Sequence, residues 1–278
     1  MEREEYGTLK EHYTIDDLLA VMDFLRSPDG CPWDREQTHA SLAKNMLEEA
    51  YEVVDAIGTG NPARLSDELG DVLMQVVFHA DIAEAAGQYD FNDVVGGICR
   101  KLITRHTHVF GTDEALTAAA VMETWEKNKR LEKGLTTVSS SLREVTRSLP
   151  ALTRSHKVQH KAAAVGFDWP DPTGAADKIE EELAEVREAA ALTADPAQDS
   201  GHLEEEVGDL LFSVVNYARK LGIQPEMALD KACEKFIRRF TRMEDAVSSA
   251  GASLADMDLA AMDDWWERTK QQEMTHAD

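Results

Sequence analysis

The hydrophobic positions of this 278-residue chain recur with the helical period over most of its length. Segments that alternate apolar and polar residues between tight turns, which would predict strands, are almost absent. The pattern therefore predicts an all-α protein. Its predicted helices cover residues 15–26, 38–57, 62–86, 92–105, 151–164, 174–192, 202–221, 225–247 and 263–273, with one more around Trp125.

Residues that favour helix ends support these boundaries. Thr14 is predicted to be the N-cap of the first helix, and Asn61 with Pro62 the N-cap and first residue of the third. Gly60 is predicted to end the helix before it. Two prolines and a glycine predict a loop over residues 27–33.

A segment rich in Gly, Ser and Thr lies near the middle of the chain and ends at Pro150. This composition is typical of linkers. It divides the chain into a predicted N-terminal domain (1–133), a linker (134–150) and a C-terminal domain (151–278).

The two predicted domains repeat one another. Each contains Glu-Glu-x-x-Glu, then Glu-x-Gly-Asp, then a basic segment, then Trp-Glu-x-x-Lys, in that order. Chance explains one such match but explains four poorly, so we infer an internal duplication of a helical unit. The four landmarks begin at residues 48, 68, 101 and 125 in the first copy and at 181, 206, 231 and 266 in the second.

The composition narrows the functional classes. With 29 basic and 53 acidic residues, the net charge of −24 disfavours bulk nucleic-acid binding. The three cysteines are scattered, which argues against a disulfide framework or a zinc knuckle and favours the reducing cytoplasm. The acidic N-terminus does not resemble a signal peptide, and no apolar run is long enough for a membrane span.

The repeated acids lie on the apolar stripes of their helices. Glu49 follows Met46 by three residues and precedes Val53 by four, and Glu68, Glu182 and Glu206 have apolar neighbours at the same offsets. A solvated outer face is the common alternative for a Glu-rich helix, but these offsets place the acids toward the core. Gly70 and Gly208, beside the acids, predict close contact between helices.

Several carboxylates that meet inside a helical bundle cannot all stay ionised without compensation. A hard divalent cation, Mg²⁺ or Mn²⁺, compensates all of them through oxygen ligands. The rival is a di-iron bundle, which needs Glu-x-x-His on core helices. Glu36-x-x-His39 and Glu273-x-x-His276 have that spacing but lie apart from the repeated acids.

The combined motifs resemble the MazG family, nucleoside triphosphate pyrophosphohydrolases of the all-α NTP pyrophosphatase superfamily. The resemblance extends from about residue 18 to residue 273. Besides the repeated acids it rests on CPWDREQT, RHTHVF, SLPAL, VGFDWP and EKFIRRF. It implies tandem MazG-type helical-bundle domains, a homodimer, Mg²⁺ dependence, and hydrolysis of (d)NTPs to (d)NMP and pyrophosphate.

The resemblance also implies roles for individual residues. The C-terminal copy is the better supported catalytic one in two-domain relatives, but every acid is present in both copies here. We expect Lys178, Glu181 and Glu182 to take part in catalysis. The implied metal ligands are Glu182, Glu185, Glu206 and Asp209 in the second copy and Glu49, Glu52, Glu68 and Asp71 in the first. The implied nucleotide-binding residues are Lys178, Glu181, Glu205, Asp209, Lys231, Lys235, Trp266, Lys101 and Arg105.

Some alternatives remain open at this point. Trp266 is equally suited to stacking on a base and to packing at a dimer seam. Attack at the α or the β phosphorus yields the same products. A non-catalytic helical regulator that binds a nucleotide or a partner protein without turnover is the main competing class of function.

Overall fold

The computed structural model of the chain describes residues 9–112, 117–192 and 200–275. Within these residues it contains helices and no strand, which confirms the all-α prediction. The helices are α1 (Ile15–Arg26), α2 (Pro32–Glu36), α3 (His39–Thr59), α4 (Pro62–Ala85), α5 (Phe91–Arg105), α6 (Thr107–Phe110), α7 (Ala118–Glu132), α8 (Val138–Arg143), α9 (Ala151–Ala163), α10 (Thr173–Leu192), α11 (Ser200–Lys220), α12 (Pro225–Ser249) and α13 (Leu259–Thr275), with a 3₁₀ turn at Leu254–Asp256.

The predicted caps of α1, α3 and α4 are confirmed. The Thr14 hydroxyl accepts from the backbone N–H of Asp17, whose carboxylate accepts from the N–H of Thr14 in return. Gly60 ends α3 with a φ of 64°, a left-handed conformation that glycine adopts without strain. The Asn61 side chain caps α4 ahead of Pro62. Short side chains therefore fix these boundaries locally.

The chain forms two compact units, Met1–Lys129 and Arg130–Asp278. This division lies a few residues before the predicted end of the N-terminal domain. Part of the predicted linker (134–150) folds into α8, and Ser141 and Val145 are buried. The segment packs against α9, so it belongs to the second unit rather than forming a free connection.

In the first unit, α3 and α4 form an antiparallel pair. His39, at the start of α3, contacts His79 near the end of α4, whereas Glu49 lies beside Asp71 nearer the start of α4. Helix α1 packs on α4 and closes a small apolar core. This core contains Met22, Leu42, Val77 and Phe78, with Leu18, Leu19, Met74, Ile82 and Phe91 against it.

In the second unit, α10 packs along α11, and α9 packs on both α11 and α12. The Gln159 amide of α9 donates to the carbonyl of Phe212 in α11 over 2.7 Å. Glu226, in the first turn of α12, accepts from the backbone N–H and the hydroxyl of Thr153 over 3.0 Å each. These polar contacts fix α9 against its two neighbours.

Several sequence expectations about packing are wrong. Ile57 and Leu69 continue the apolar stripes that the sequence places toward the core, but they are 58% and 50% exposed. The amphipathic stripes of α3 and α4 are wider than the surface that α1 covers. A Cβ atom added at Gly70 or Gly208 would meet nothing within 4 Å, so these glycines do not mark close contact between helices.

Asp168 anchors the loop before α10 to the end of α11. Its carboxylate accepts from Arg219 over 2.5 Å and from Lys220 over 3.2 Å. The Arg219 and Lys220 side chains are only 10% and 13% exposed. Hydrogen bonds from Arg219, aided by Lys220, hold the pKa of Asp168 below its ordinary value.

We expect Asp168→Asn to lower the free energy of unfolding by about 2 kcal/mol at neutral pH, because two largely buried cations lose their counter-charge. A carboxylate whose pKa is lowered by folding stabilises the protein above its unfolded pKa, and this contribution is lost as the pH falls through the folded value. Urea unfolding of wild type and variant should therefore show a difference near pH 7 that narrows near pH 3. The exposed Asp177→Asn is the control, and an undiminished gap at low pH would contradict this account.

Candidate metal centres

Each unit brings three carboxylates together between two neighbouring helices. In the second unit Glu182 and Glu185 of α10 meet Glu206 of α11, and one oxygen from each lies within 4.8 Å of the others. In the first unit Glu49 of α3 meets Glu68 and Asp71 of α4 within the same distance. The repeat of the sequence is thus a repeat of geometry.

One of the four expected ligands is absent from each carboxylate group, and it is a different one in each copy. In the first copy Glu52 is exposed, although its carboxylate is close enough to contribute to the raised pKa of Glu49. In the second copy Asp209 is exposed, one turn after Glu206. The first group therefore takes two acids from its second helix, whereas the second group takes two from its first helix.

Glu182 is the most deeply buried acid of the second group, at 5% exposure. Its Oε1 accepts from Lys178 Nζ over 2.6 Å, and the same ammonium donates to Glu181 over 2.8 Å. These two hydrogen bonds raise the pKa of Lys178. The other oxygen of Glu182, Oε2, is buried and has no hydrogen-bond partner. A buried carboxylate oxygen without a partner is costly unless a cation binds it.

The crowding of carboxylates shifts their titration. Partial loss of water, followed by repulsion from Glu182, raises the pKa of Glu185. Burial, followed by repulsion from Asp71 and contact with Glu52, raises the pKa of Glu49. Both shifts have loss of water as their largest cause and crowding of like charges as the next, and a bound cation would offset both effects.

The two copies differ in their nearest cation. Lys178 precedes Glu182 by four residues, but the equivalent position before Glu49 is Asn45. On the second helix of each pair, both copies have a basic side chain four residues before the acid and close to it. Arg64 lies 3.4 Å from Glu68, and His202 lies 3.4 Å from Glu206. These last two neighbours were not predicted, although the spacing of four residues is visible in the sequence.

The residues present fit a hard divalent cation. The donors are all carboxylate oxygens, they converge, and Glu182 Oε2 lacks any other partner. The Glu-x-x-His pairs do not join them within the described residues. Glu273 accepts from Arg239 and Arg242, His39 contacts His79, and His276 lies outside the described part of the chain.

The predicted nucleotide-binding residues have varied surroundings. Lys231 and Lys235 are exposed on α12, as are Glu205 and Lys101 on their own helices. The Trp266 ring packs against Phe236 of α12 with a centroid distance of 5.2 Å. In the first copy the Arg105 guanidinium lies over Trp125, 5.3 Å from its ring centroid. Aromatic rings thus accompany the basic helix in both copies.

The fold and these centres define the chain as a tandem all-α protein with a carboxylate group suited to a metal ion in each half. The MazG nucleotide pyrophosphohydrolase domain matches the sequence twice, over residues 37–110 and 172–243. These two segments include α3 with α4 and α10 with α11. The chain belongs to the MazG family, which confirms the resemblance inferred from its motifs.

Curated relatives cover most of the chain. The nucleoside triphosphate pyrophosphohydrolase/pyrophosphatase MazG of Thermotoga maritima is 44% identical over 92% of this chain and 95% of its own length. The nucleoside triphosphate pyrophosphohydrolase of Escherichia coli is 46% identical over 94% of this chain and 98% of its own length. The uncharacterized protein YabN of Bacillus subtilis is 43% identical over 94% of this chain, which matches 53% of that protein.

Proposed function

We propose that this chain is a Mg²⁺-dependent nucleoside triphosphate pyrophosphohydrolase, which converts (d)NTPs to (d)NMP and pyrophosphate at the α10–α11 centre. The observation that supports this proposal most directly is Oε2 of Glu182, a buried oxygen without a hydrogen-bond partner. The carboxylate of Glu182 lies close to those of Glu185 and Glu206. Membership of the MazG family and the names of the full-length relatives support the reaction class. Mn²⁺ is the expected substitute, since it accepts the same oxygen ligands.

Glu182, Glu185 and Glu206 would hold the ion, and we keep Asp209 as a fourth ligand. Bound Mg²⁺ supplies charge neutralisation for the triphosphate and orients it for attack. Glu49, Glu68 and Asp71, with Glu52, would hold an ion in the first copy in the same way.

The residues of the chain supply proton transfer and positive charge. Glu181 is 58% exposed at its side chain and sits beside the buried centre, so we assign it to hold or deprotonate the attacking water, with Glu182 as its neighbour. Lys178 Nζ already donates to both acids and has donor capacity for a phosphate oxygen. In this proposal Lys178 shifts part of its hydrogen bonding to the substrate.

The remaining cations and aromatic residues would bind the rest of the nucleotide. Lys231 and Lys235 are four residues apart on α12, so they share one helix face and can address phosphate oxygens together. Trp266 offers a ring face for the base. We propose that Glu205 and Asp209 also contact the nucleotide in the second copy. In the first copy, Lys101 and Arg105 correspond to Lys231 and Lys235 and would have the same role.

A pyrophosphate-release assay over a panel of NTPs and dNTPs tests the proposal. We expect release to require Mg²⁺, to stop on chelation and to be restored by Mg²⁺ or Mn²⁺. Hydrolysis in ¹⁸O-water then shows whether the label enters the nucleotide or pyrophosphate, which identifies the attacked phosphorus. Tight nucleotide binding without any release would instead favour the non-catalytic regulator, and tightly bound iron with a visible chromophore would favour the di-iron class.

We further propose a homodimer and a cytoplasmic location. Helix α4 exposes Leu69 and Leu73, and α5 exposes Ile98 and Leu102, which gives the first unit a broad apolar surface that a second copy would cover. Light scattering on the purified chain tests this assembly.

The three cysteines are free, as expected in a reducing compartment. None of the described helices is long and apolar enough to cross a bilayer.

A further inference from the structure

Two histidines from neighbouring helices meet in the first unit, away from its carboxylate group. His39 begins α3, His79 lies near the end of α4, and their Nδ1 atoms are 2.8 Å apart. His79 is partly buried, whereas His39 is exposed. None of the roles proposed above uses either residue.

The two rings lie edge to edge. Their planes differ by 15°, and their centroids are 5.1 Å apart, which is the 2.8 Å gap between the nitrogens plus one ring radius on each side. Both Nδ1 atoms therefore lie close to the line between the two centroids. At this separation one Nδ1 carries a proton and donates it to the other, and a metal ion could bind both nitrogens only after that proton has moved to Nε2 of the same ring.

We propose that His39 and His79 form a binding site for a borderline divalent cation, Zn²⁺, Ni²⁺ or Cu²⁺, that links the start of α3 to the end of α4. Neutral imidazole is a preferred ligand of these ions, whereas Mg²⁺ prefers oxygen. Two imidazole nitrogens on one tetrahedral Zn²⁺ lie about 3.3 Å apart when each bond is about 2.0 Å. A shared ion therefore needs the nitrogens to open by about 0.5 Å and one ring to turn until the two lone pairs converge, a movement that the exposed His39 side chain can make.

The surroundings of the pair favour metal ligation. Burial, followed by the neighbouring His39, lowers the pKa of His79, which keeps its ring neutral and able to ligate at neutral pH. Within the described residues, no third His, Cys, Asp or Glu places a ligand atom close to both rings, so water completes the coordination shell. The site is therefore open and exchangeable rather than a closed structural site.

The histidine site is distinct from the carboxylate centre of the same unit. His79 follows Asp71 by eight residues on α4, which separates them by about 12 Å along the helix. The second copy has Pro172 and Tyr217 at the positions that correspond to His39 and His79 by the offsets of the repeated acids. The proposed site therefore exists in one copy only.

Titration of the full-length chain with Cu²⁺, in a large excess of Mg²⁺ that saturates the carboxylate groups, tests the proposal. All proteins carry His160→Gln, because His156 and His160 are four residues apart on α9 and form another potential ligand pair. We expect one Cu²⁺ whose electron paramagnetic resonance spectrum shows coupling to two nitrogens. His39→Gln and His79→Gln should each weaken its binding by about tenfold or more, and His12→Gln, which removes a single exposed histidine, should not.

Thermal unfolding gives a second measurement that does not depend on the spectrum. With Mg²⁺ in excess, added Zn²⁺ should raise the midpoint of the parent chain and have little effect on His39→Gln. Circular dichroism shows whether each variant is folded, and a folded variant alone is enough to test the proposal. We expect His39→Gln to fold, because His39 is exposed. Unchanged Cu²⁺ affinity and nitrogen coupling in a folded His39→Gln protein would overturn the proposal.

Discussion

Replacing Glu206 by glutamine is expected to lower the rate of pyrophosphate release by about 10²- to 10³-fold, because a metal ion contributes several kcal/mol to such reactions and each 1.4 kcal/mol is a factor of ten. Glutamine keeps the size of the side chain and removes the charge that would hold the ion. The helical circular dichroism spectrum should stay nearly unchanged, since Glu206 makes only one described ion pair, with His202.

Two further variants make this measurement specific. Glu204→Gln removes the same charge from the same helix at an exposed position and should leave the rate near that of wild type. Glu68→Gln makes the matching change in the first copy. Loss of activity in Glu68→Gln with retention in Glu206→Gln would move catalysis to the first copy, and retention in both single variants and in their combination would rule out the carboxylate centres as the source of activity. Asp209→Asn then tests the exposed fourth ligand.

Replacing Lys178 by methionine is expected to destabilise the metal-free chain by about 2 to 3 kcal/mol. Glu182 would remain buried at 5% exposure with neither oxygen paired to a cation. Breaking a buried ion pair on one side is costly for that reason. Because bound Mg²⁺ would supply the missing charge, the difference from wild type should shrink in millimolar Mg²⁺.

Chemical unfolding with and without Mg²⁺ measures both parts of this expectation. Lys270→Met is the matched control, because Lys270 pairs with Glu267 at a spacing of three residues on an exposed face. Such surface pairs contribute well under 1 kcal/mol. Equal and small losses in Lys178→Met and Lys270→Met would show that Glu182 needs no compensating charge from Lys178.

The sequence was most informative where structure depends on near neighbours. Thr14, Gly60, Asn61 and Pro62 act within one turn of their own positions, and all four were placed correctly. The convergence of the acids was also visible, because the offsets that align acids with apolar residues place both on one face of a helix.

Features that depend on distant contacts were not accessible from the sequence. Ile57 and Leu69 continue an apolar stripe, but which part of a stripe is covered depends on where α1 lies. Which acids of each motif converge depends on how the two helices face one another, which a motif does not encode: Glu52 and Asp209 lie outside the groups, whereas Glu185, also exposed, lies inside. His39 and His79 are 40 residues apart and meet only because the register of α3 and α4 aligns them.

Lys178 and Asn45 occupy matching positions in the two halves of the chain. The two carboxylate groups therefore differ in how much of their negative charge a bound cation would have to compensate. A half that carries its own ammonium can remain folded around its acids when magnesium is scarce, although an incoming ion must compete with that ammonium. The half with asparagine at the matching position has Arg64 beside Glu68, but no lysine precedes its Glu49 by four residues, so Glu49 would gain more from a bound ion. If both carboxylate groups bind Mg²⁺ as proposed, this difference predicts two apparent affinities for the ion, the weaker in the half with Lys178, so that the supply of Mg²⁺ would determine whether one half or both halves are filled.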